Sequence, residues 1–331
     1  MRLFRHYSEL PADALGAVVA IGNFDGVHRG HQAVIGAAQG MARTAGLPVA
    51  VMSFEPHPRL FFKPESGPFR LTPLRIKTRL IEAIGVDLMF VLHFDAAFAA
   101  LSAAEFVRKV LVEGVKAHHV VVGYDFTFGR ARGGNVPLLQ AMGTELGFAV
   151  TSVQPVSHEA GPYSSTAVRA CLMSERPAAA AALLGHYWEI EGRVEGGDRR
   201  GRQLGFPTAN IRLGEFLHPS PGGYVVRAGI DKGGATVWHD GVANFGRRPT
   251  FDKKDLILEV HLFDFAGDLY GKHLRVQLIE FLRPEEKFDS LDALKAAIVE
   301  DCARAKRILA ERPPAVPPAV FSAQAKKRAH S

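Results

Sequence analysis

Apolar and polar positions change rhythm part-way along this chain. In the first half, short apolar runs alternate with segments whose apolar residues recur at helical spacing. Ala17–Ile21, Leu47–Phe54, Asp87–Phe94, His118–Gly123 and Phe148–Val153 read as buried strands. Between them, His31–Ala45 is Ala-rich and closes at Gly46, a glycine C-cap. Pro73–Gly85 carries Leu74, Ile76, Leu80, Ile81 and Ile84 at helical intervals. Ser102–Gly114 opens on Ser102 with Glu105 three residues later, a capping box, and a further helix is expected near Val136–Gly147. Such alternation predicts a parallel sheet with helices on both faces. Ligands bind such sheets beyond the carboxyl ends of the strands. The polar, glycine-rich segments Gly22–His31, Glu55–Pro58 and Gly123–Asn135 each come just after a strand, so that edge is the candidate site.

Beyond Arg176–Gly185, an Ala-rich stretch that reads as a short linker helix, the period shortens. Trp188–Glu195, Gly223–Ile230, Ala235–Asn244, Leu256–Phe265 and His273–Phe281 are extended runs separated by turn signals such as Gly196-Gly197-Asp198 and Lys232-Gly233-Gly234. They predict an antiparallel barrel or sandwich. Ser290–Leu309 follows as a helix whose Leu291, Leu294, Ile298, Cys302, Ala305 and Leu309 form one stripe to pack on that barrel. The tail, 313–331, is Pro-rich and then basic and is expected to be disordered.

The chain has 331 residues, enough for two domains, with 47% hydrophobic and 22% charged residues, a globular balance. Its two cysteines, Cys171 and Cys302, make neither a disulfide framework nor a zinc spacing. The first ten residues lack the apolar core of a signal peptide, and no apolar run is long enough to span a bilayer, so a cytoplasmic protein without a membrane partner is expected. A net charge of +6 suits polyanionic ligands without choosing between nucleotides and nucleic acid.

The candidate chemistry lies in two clusters. Gly22-Asn23-Phe24-Asp25-Gly26-Val27-His28-Arg29-Gly30-His31 links a strand to a helix and contains an HxGH pattern. A helix N-terminus offers free N–H groups and the positive end of its dipole, His28 and His31 lie near one face of the first turn, and Gly30 permits close approach of a ligand to the backbone. Imidazoles can donate hydrogen bonds to charge developing on an α-phosphate as pyrophosphate leaves. A bare HxGH is more often an ordinary capped helix; its strand–loop–helix setting tips the balance here. In the second cluster, Gly205-Phe206-Pro207-Thr208-Ala209-Asn210 puts Thr208 and Asn210 on one side of an extended segment, where hydroxyl and amide oxygens can hold Mg²⁺ and its phosphates, although alone this is more often a polar strand face. A Walker A lysine motif is absent, which excludes a P-loop kinase.

GNFDGVHRGH resembles the signature of bacterial FAD synthetases within the HxGH nucleotidyltransferases, as do Gly123–Gly129 and Ser164-Ser165-Thr166-Ala167-Val168-Arg169. GFPTAN, Ala243–Phe251, Glu259-Val260-His261 and Asp268-Leu269-Tyr270-Gly271 are similar to segments of riboflavin kinases. The resemblance implies a Rossmann-like α/β nucleotidyltransferase domain over residues 1–185, then an antiparallel β-barrel riboflavin kinase domain with a C-terminal helix over 186–312. It implies a bifunctional enzyme that phosphorylates riboflavin to FMN and adenylylates FMN to FAD, with Mg²⁺ as cofactor and riboflavin, FMN and ATP as small-molecule substrates. His28, His31 and Arg169 are the catalytic candidates for adenylyl transfer, and Glu259 is the candidate general base for phosphorylation. Gly22, Asn23, Phe24, Asp25, Gly26, Asp125, Ser165 and Thr166 are expected to bind ATP. Phe54, Phe62, Phe128, Phe206 and Pro207 are expected to face flavin, and Thr208 and Asn210 the metal. Asp125 stands where some relatives have Asn, Glu195 where they often have His, and Phe245 where Ile is frequent. Two rivals are a single-activity nucleotidyltransferase with a non-catalytic barrel and an RNA-binding protein. Intact Thr208, Asn210 and Glu259 oppose the first. The absence of RNP, KH or dsRBD motifs opposes the second and any nucleic-acid partner.

Overall fold

The structure, a computed structural model, describes residues 1–158, 161–196, 205–232, 235–247 and 256–312. Gly201–Leu204, Arg248–Phe251 and the tail 313–331, which carried part of the sequence expectations, lie outside the described residues. By their internal contacts the described residues divide into two units, 1–67 with 77–164 and 68–76 with 165–312.

The first unit is built on a six-stranded, all-parallel sheet in the order β1 (Arg2–Phe4), β4 (Leu88–His93), β3 (Val49–Glu55), β2 (Val18–Ile21), β5 (His119–Gly123) and β8 (Ala149–Val153). The two-residue strands β6 (Thr127–Phe128) and β7 (Gly134–Asn135) form a small hairpin between β5 and β8, and β9 (Ser157–His158) and β10 (Gly161–Pro162) pair antiparallel after β8. The central strands are continuous apolar runs because both faces are covered. One layer of core joins Val19, Ile21, Met52, Phe90 and Val122 to Phe106, Val110 and Leu139. Strand order reverses at β2, which pairs with β3 on one side and β5 on the other, so the segment after β2 leaves the sheet at its switch point. That segment runs into the helix Arg29–Ala45, which ends at Gly46 in the left-handed conformation, φ 65°.

Two elements depart from the sequence reading. β1 sits in a segment with no strand-like alternation and is held by its parallel pairing with β4. Beyond the capping box of Ser102 and Glu105, which forms as expected, Phe106–Gly114 widens into a π-helix, with Val115 N donating to Val110 O at 2.9 Å. The i, i+4, i+5 spacing of Phe106, Val110 and Leu111 suits those wider turns, and all three are buried.

The second unit is the expected antiparallel barrel. Its strands are β11 (Trp188–Arg193), β12 (Ala209–Arg212), β13 (Gly222–Lys232), β14 (Ala235–Arg247), β15 (Leu256–Leu262) and β16 (His273–Pro284). They pair in the order β11-β16-β13-β14-β15-β12. The sheet curls until its edges meet, where Glu195 N donates to Asn210 O at 2.9 Å. The helix Leu291–Glu311 is capped by Ser290, and its buried Ala305 and Leu309 lie over Val225, Val242 and Ile279. Arg227 ties the helix end down, donating to the Leu309 and Arg312 carbonyls and, at 3.0 Å, to Asp240. The predicted stripe is therefore buried at its C-terminal half, while Leu291 at the other end is 69% exposed.

Candidate active sites

In the first unit the segment between β2 and the helix Arg29–Ala45 is held in an uncommon conformation. Phe24 and Val27 have φ of 49° and 43°, although neither is glycine and both are buried. Bulky and β-branched residues pay about 1–3 kcal/mol each for such backbone, which persists only where surroundings impose it. Here Gly22 N donates to Met52 O, Ser53 Oγ donates to Asn23 O at 3.2 Å, and Gln32 Nε2 donates to Val27 O at 2.8 Å. Asp25 is buried and Gly26 has φ 90°.

His28 is the N-cap of the helix. Its Nδ1 accepts a hydrogen bond from His31 N at 3.3 Å, and the two imidazoles stack with centroids 3.6 Å apart. Because Nδ1 accepts, the neutral ring carries its proton on Nε2. His31 also meets Phe24 edge to face at 5.3 Å. A Cβ on Gly30 would stand 3.0 Å from the Tyr163 carbonyl oxygen and 3.1 Å from the His28 ring, so a glycine is needed at this turn. Asp125 lies in the turn after β5, where Phe126 N donates to Gly123 O. Gly22–His31 and Asp125 thus share the carboxyl edge of adjacent strands, as expected.

The three phenylalanines assigned to flavin in this unit do not touch one another directly. Phe54 and Phe128 are buried and Phe62 is 63% exposed. They are joined by rings not singled out in the sequence: Phe62 meets Phe94 at 5.8 Å, Phe94 and Phe54 both meet Phe98, and Phe98 leads through Phe106 to Phe128. Their helical and strand spacing marks them as core residues, and only the fold strings them into one row.

Ser165, Thr166 and Arg169 lie on the helix Ser165–Met173, which belongs to the second unit. Arg169 Nε donates to the Phe69 carbonyl at 2.9 Å, and its guanidinium lies 5.4 Å from the Phe69 ring centre.

The barrel contains a cavity of about 580 Å³. Thr208 and Asn210 line it, together with Ala209, Val260, Leu262 and the Phe265–Tyr270 loop. Asn210 Oδ1 is buried and has no hydrogen-bond partner among the described residues. Glu259 is paired directly with Asn210 on β12 and with Asn244 on β14, so the three side chains share one sheet face. Val260 and Leu262 belong to the other face of β15. Glu259 is not among the residues lining the cavity, whereas Asn210 belongs to both groups. In the sequence Asn244 stands out only as part of a motif, and strand register reveals its place beside Glu259. Phe206 packs edge to face on His261 at 5.4 Å, and His261 Nδ1 donates to Pro207 O at 2.9 Å, holding the turn before Thr208.

Two family models divide the chain along these lines. One described as FAD synthetase matches residues 10–167, and one described as riboflavin kinase matches residues 184–309. The bifunctional riboflavin kinase/FMN adenylyltransferase of Escherichia coli strain K12 is 45% identical over 304 residues, 91% of this chain and 96% of that protein. The protein of the same description from Pseudomonas fluorescens is 44% identical over 94% of this chain and 98% of its own length. This chain belongs to the bifunctional riboflavin kinase/FMN adenylyltransferase family. A crystal structure from Streptococcus pneumoniae, described as a macrolide-efflux protein, superposes with a TM-score of 0.81 at 30% identity over 94% of this chain and 99% of that one. No described helix of this flavin-enzyme family member is long and apolar enough to cross a membrane. The histidine-capped loop falls within the FAD synthetase match, and the cavity residues and Glu259 within the riboflavin kinase match.

Proposed function

We propose that this chain makes both flavin cofactors: it phosphorylates riboflavin to FMN in the barrel, and it adenylylates FMN to FAD at the loop after β2, with ATP as co-substrate in each step. One observation carries this reading. A single chain holds a strand-end loop with two stacked imidazoles and a barrel cavity lined by Thr208 and Asn210, each inside the match to its own family.

In the barrel, Glu259 is the general base. It takes the proton from the terminal ribityl hydroxyl as that oxygen attacks the γ-phosphate of ATP and ADP leaves. The chemistry of the neighbouring donors fits a hard cation: Asn210 Oδ1 is buried without a partner among the described residues, and Thr208 adds a hydroxyl in the lining of the same cavity. Thr208 and Asn210 would hold Mg²⁺, which when bound neutralises phosphate charge. Phe206 and Pro207 face the flavin from the turn that His261 holds.

At the loop after β2, a phosphate oxygen of FMN attacks the α-phosphate of ATP, the bond to the β-phosphate breaks, and pyrophosphate leaves. His28 donates from Nε2 to the charge on the α-phosphate, and His31 adds a second imidazole beside it. Gly22–Gly26 and Asp125 bind the nucleotide, where the helix N-terminus favours an anion. Phe54, Phe62 and Phe128 are the flavin-facing rings. The roles of Ser165, Thr166 and Arg169 toward the ATP phosphates rest on their motif. The functional boundary we place near Gly185, with residues 1–185 serving adenylyl transfer and 186–312 phosphorylation. Dependence on ATP supports a cytoplasmic location.

The test is chromatography of a reaction containing the purified chain, riboflavin, ATP and Mg²⁺. FMN is expected first and FAD after it. FAD formed only when FMN is supplied would leave the barrel without catalytic function, and no flavin product from either substrate would overturn the reading.

A further inference from the structure

Lys77 is a lysine shut off completely from solvent. Lysine is almost never buried this fully unless paired, so its surroundings call for a reason. It lies on the helix Leu74–Ala83, on the stripe shared with Ile81 and Ile84. Its Nζ donates to Glu55 Oε1 at 2.9 Å and to Ser53 Oγ at 3.2 Å. Ser53 and Glu55 are two apart on β3 and point to the same side, so the ammonium reaches both. Ser53 is itself fully buried in the middle of an apolar strand.

The direction of these bonds is fixed by donor count. The ammonium can only donate, so Ser53 Oγ accepts from it, and the hydroxyl proton goes on to the Asn23 carbonyl at 3.2 Å. The result is a one-way chain from ammonium to hydroxyl to carbonyl. It ends on the peptide between Asn23 and Phe24, immediately before the residue held at φ 49°. An ion pair alone would explain Lys77 and Glu55 but not the buried hydroxyl, and a hydrophobic pair would fill the space as well or better. The third member makes the cluster directional.

We propose that Lys77 and Ser53 are positioning residues for adenylyl transfer. With its carbonyl tied back to β3, the Asn23–Phe24 peptide presents its N–H away from the sheet, and the loop delivers His28 to the helix N-terminus in the capped geometry. This rests on the reading that Gly22–His31 holds ATP.

The full chain is assayed for FMN-to-FAD conversion as Ser53→Ala, as the double variant Lys77→Met/Glu55→Gln, which removes both charges of the pair together, and as His28→Asn. For Ser53→Ala and the double variant, kcat is expected to fall about tenfold, the scale on which misplaced groups cost rate. KM for FMN and for ATP should stay within about twofold, the signature of an interaction needed in the transition state and not for binding. A structural role alone would lower thermal stability without this split. Wild-type kcat in folded Ser53→Ala, or a raised KM with kcat intact, overturns the proposal, and Ser53→Ala decides it even if the double variant does not fold. If His28→Asn keeps wild-type kcat, the assignment of the loop fails and the relay with it. If His28→Asn loses activity while Ser53→Ala does not, the relay alone falls.

Discussion

At the end of β2 the proposed reactive groups are carried by a loop, whereas in the barrel they stand on the strands. The loop site depends on backbone held against its preference: Phe24 and Val27 at positive φ, a glycine where a Cβ would strike a carbonyl, and His28 fixed by the N–H it caps. The barrel site depends on register, which sets Asn210, Glu259 and Asn244 side by side across three paired strands. A loop site can be disturbed from a distance, through the side chains that hold its peptides. A register site changes only when one of its own residues changes or a strand slips, because a slip of one residue turns every side chain to the other face.

The largest expected effects test whether the two sites are separate. His28→Asn keeps a good N-cap but loses the ring donor, and FAD formation from FMN should fall about a hundredfold or more. Riboflavin phosphorylation by the same protein should be unchanged. Glu259→Gln should do the reverse, lowering phosphorylation by about 10² or more and sparing FAD formation. Loss of both activities in either folded variant would end the comparison. A smaller effect sharpens it. Asn210→Ala removes the buried amide oxygen, and riboflavin phosphorylation should need about tenfold more Mg²⁺ for half-maximal rate, as expected when one oxygen ligand is lost. The Mg²⁺ dependence of FAD formation should not move.

The smallest effect concerns the scaffold of the first unit. The backbone N–H and hydroxyl of Ser102, with Lys109 beside them, hold the Glu105 carboxyl at about 2, below its usual 4.5. A carboxyl depressed in this way stabilises the fold fully above its ordinary range, and the contribution disappears as pH falls towards 2. Ser102→Ala should lower the melting temperature of the first unit by a few degrees at neutral pH, with the gap to wild type closing in acid, and leave both activities intact at 25 °C. Calorimetry over pH 2 to 7 checks the sign.

Much of this architecture is legible in the residues, and its gaps have identifiable causes. The alternation of buried strands and amphipathic helices before Gly185 is a local pattern, and the strands and helices expected from it form, with ends shifted by a few residues. β1 is missed because a three-residue edge strand is too short to show alternation, and its parallel pairing with Leu88–Phe90 is not local. Lys77 sits on a stripe whose spacing is plain, yet a charged residue there reads as solvated until its partners are known. Phe94, Phe98 and Phe106 read as core, and the fold places them between the three rings expected to face flavin. Of the barrel site, Thr208, Asn210 and Glu259 are visible as motifs, while Asn244 gains its place only from pairing.

By itself the sequence determined the period of each segment, the caps and turns that end it, and the motifs that tie each half to its chemistry. These depend on residues within a few positions of one another, where covalent geometry and side-chain shape act directly. Tertiary structure alone decided that β2 stands at the switch point between β3 and β5, that the barrel closes at Glu195 and Asn210, and that a buried ammonium reaches through Ser53 to the Asn23 peptide. Periodicity states which face of an element must be covered but not by what, and each of these contacts joins segments far apart in the chain, so it exists only once packing has chosen the partners.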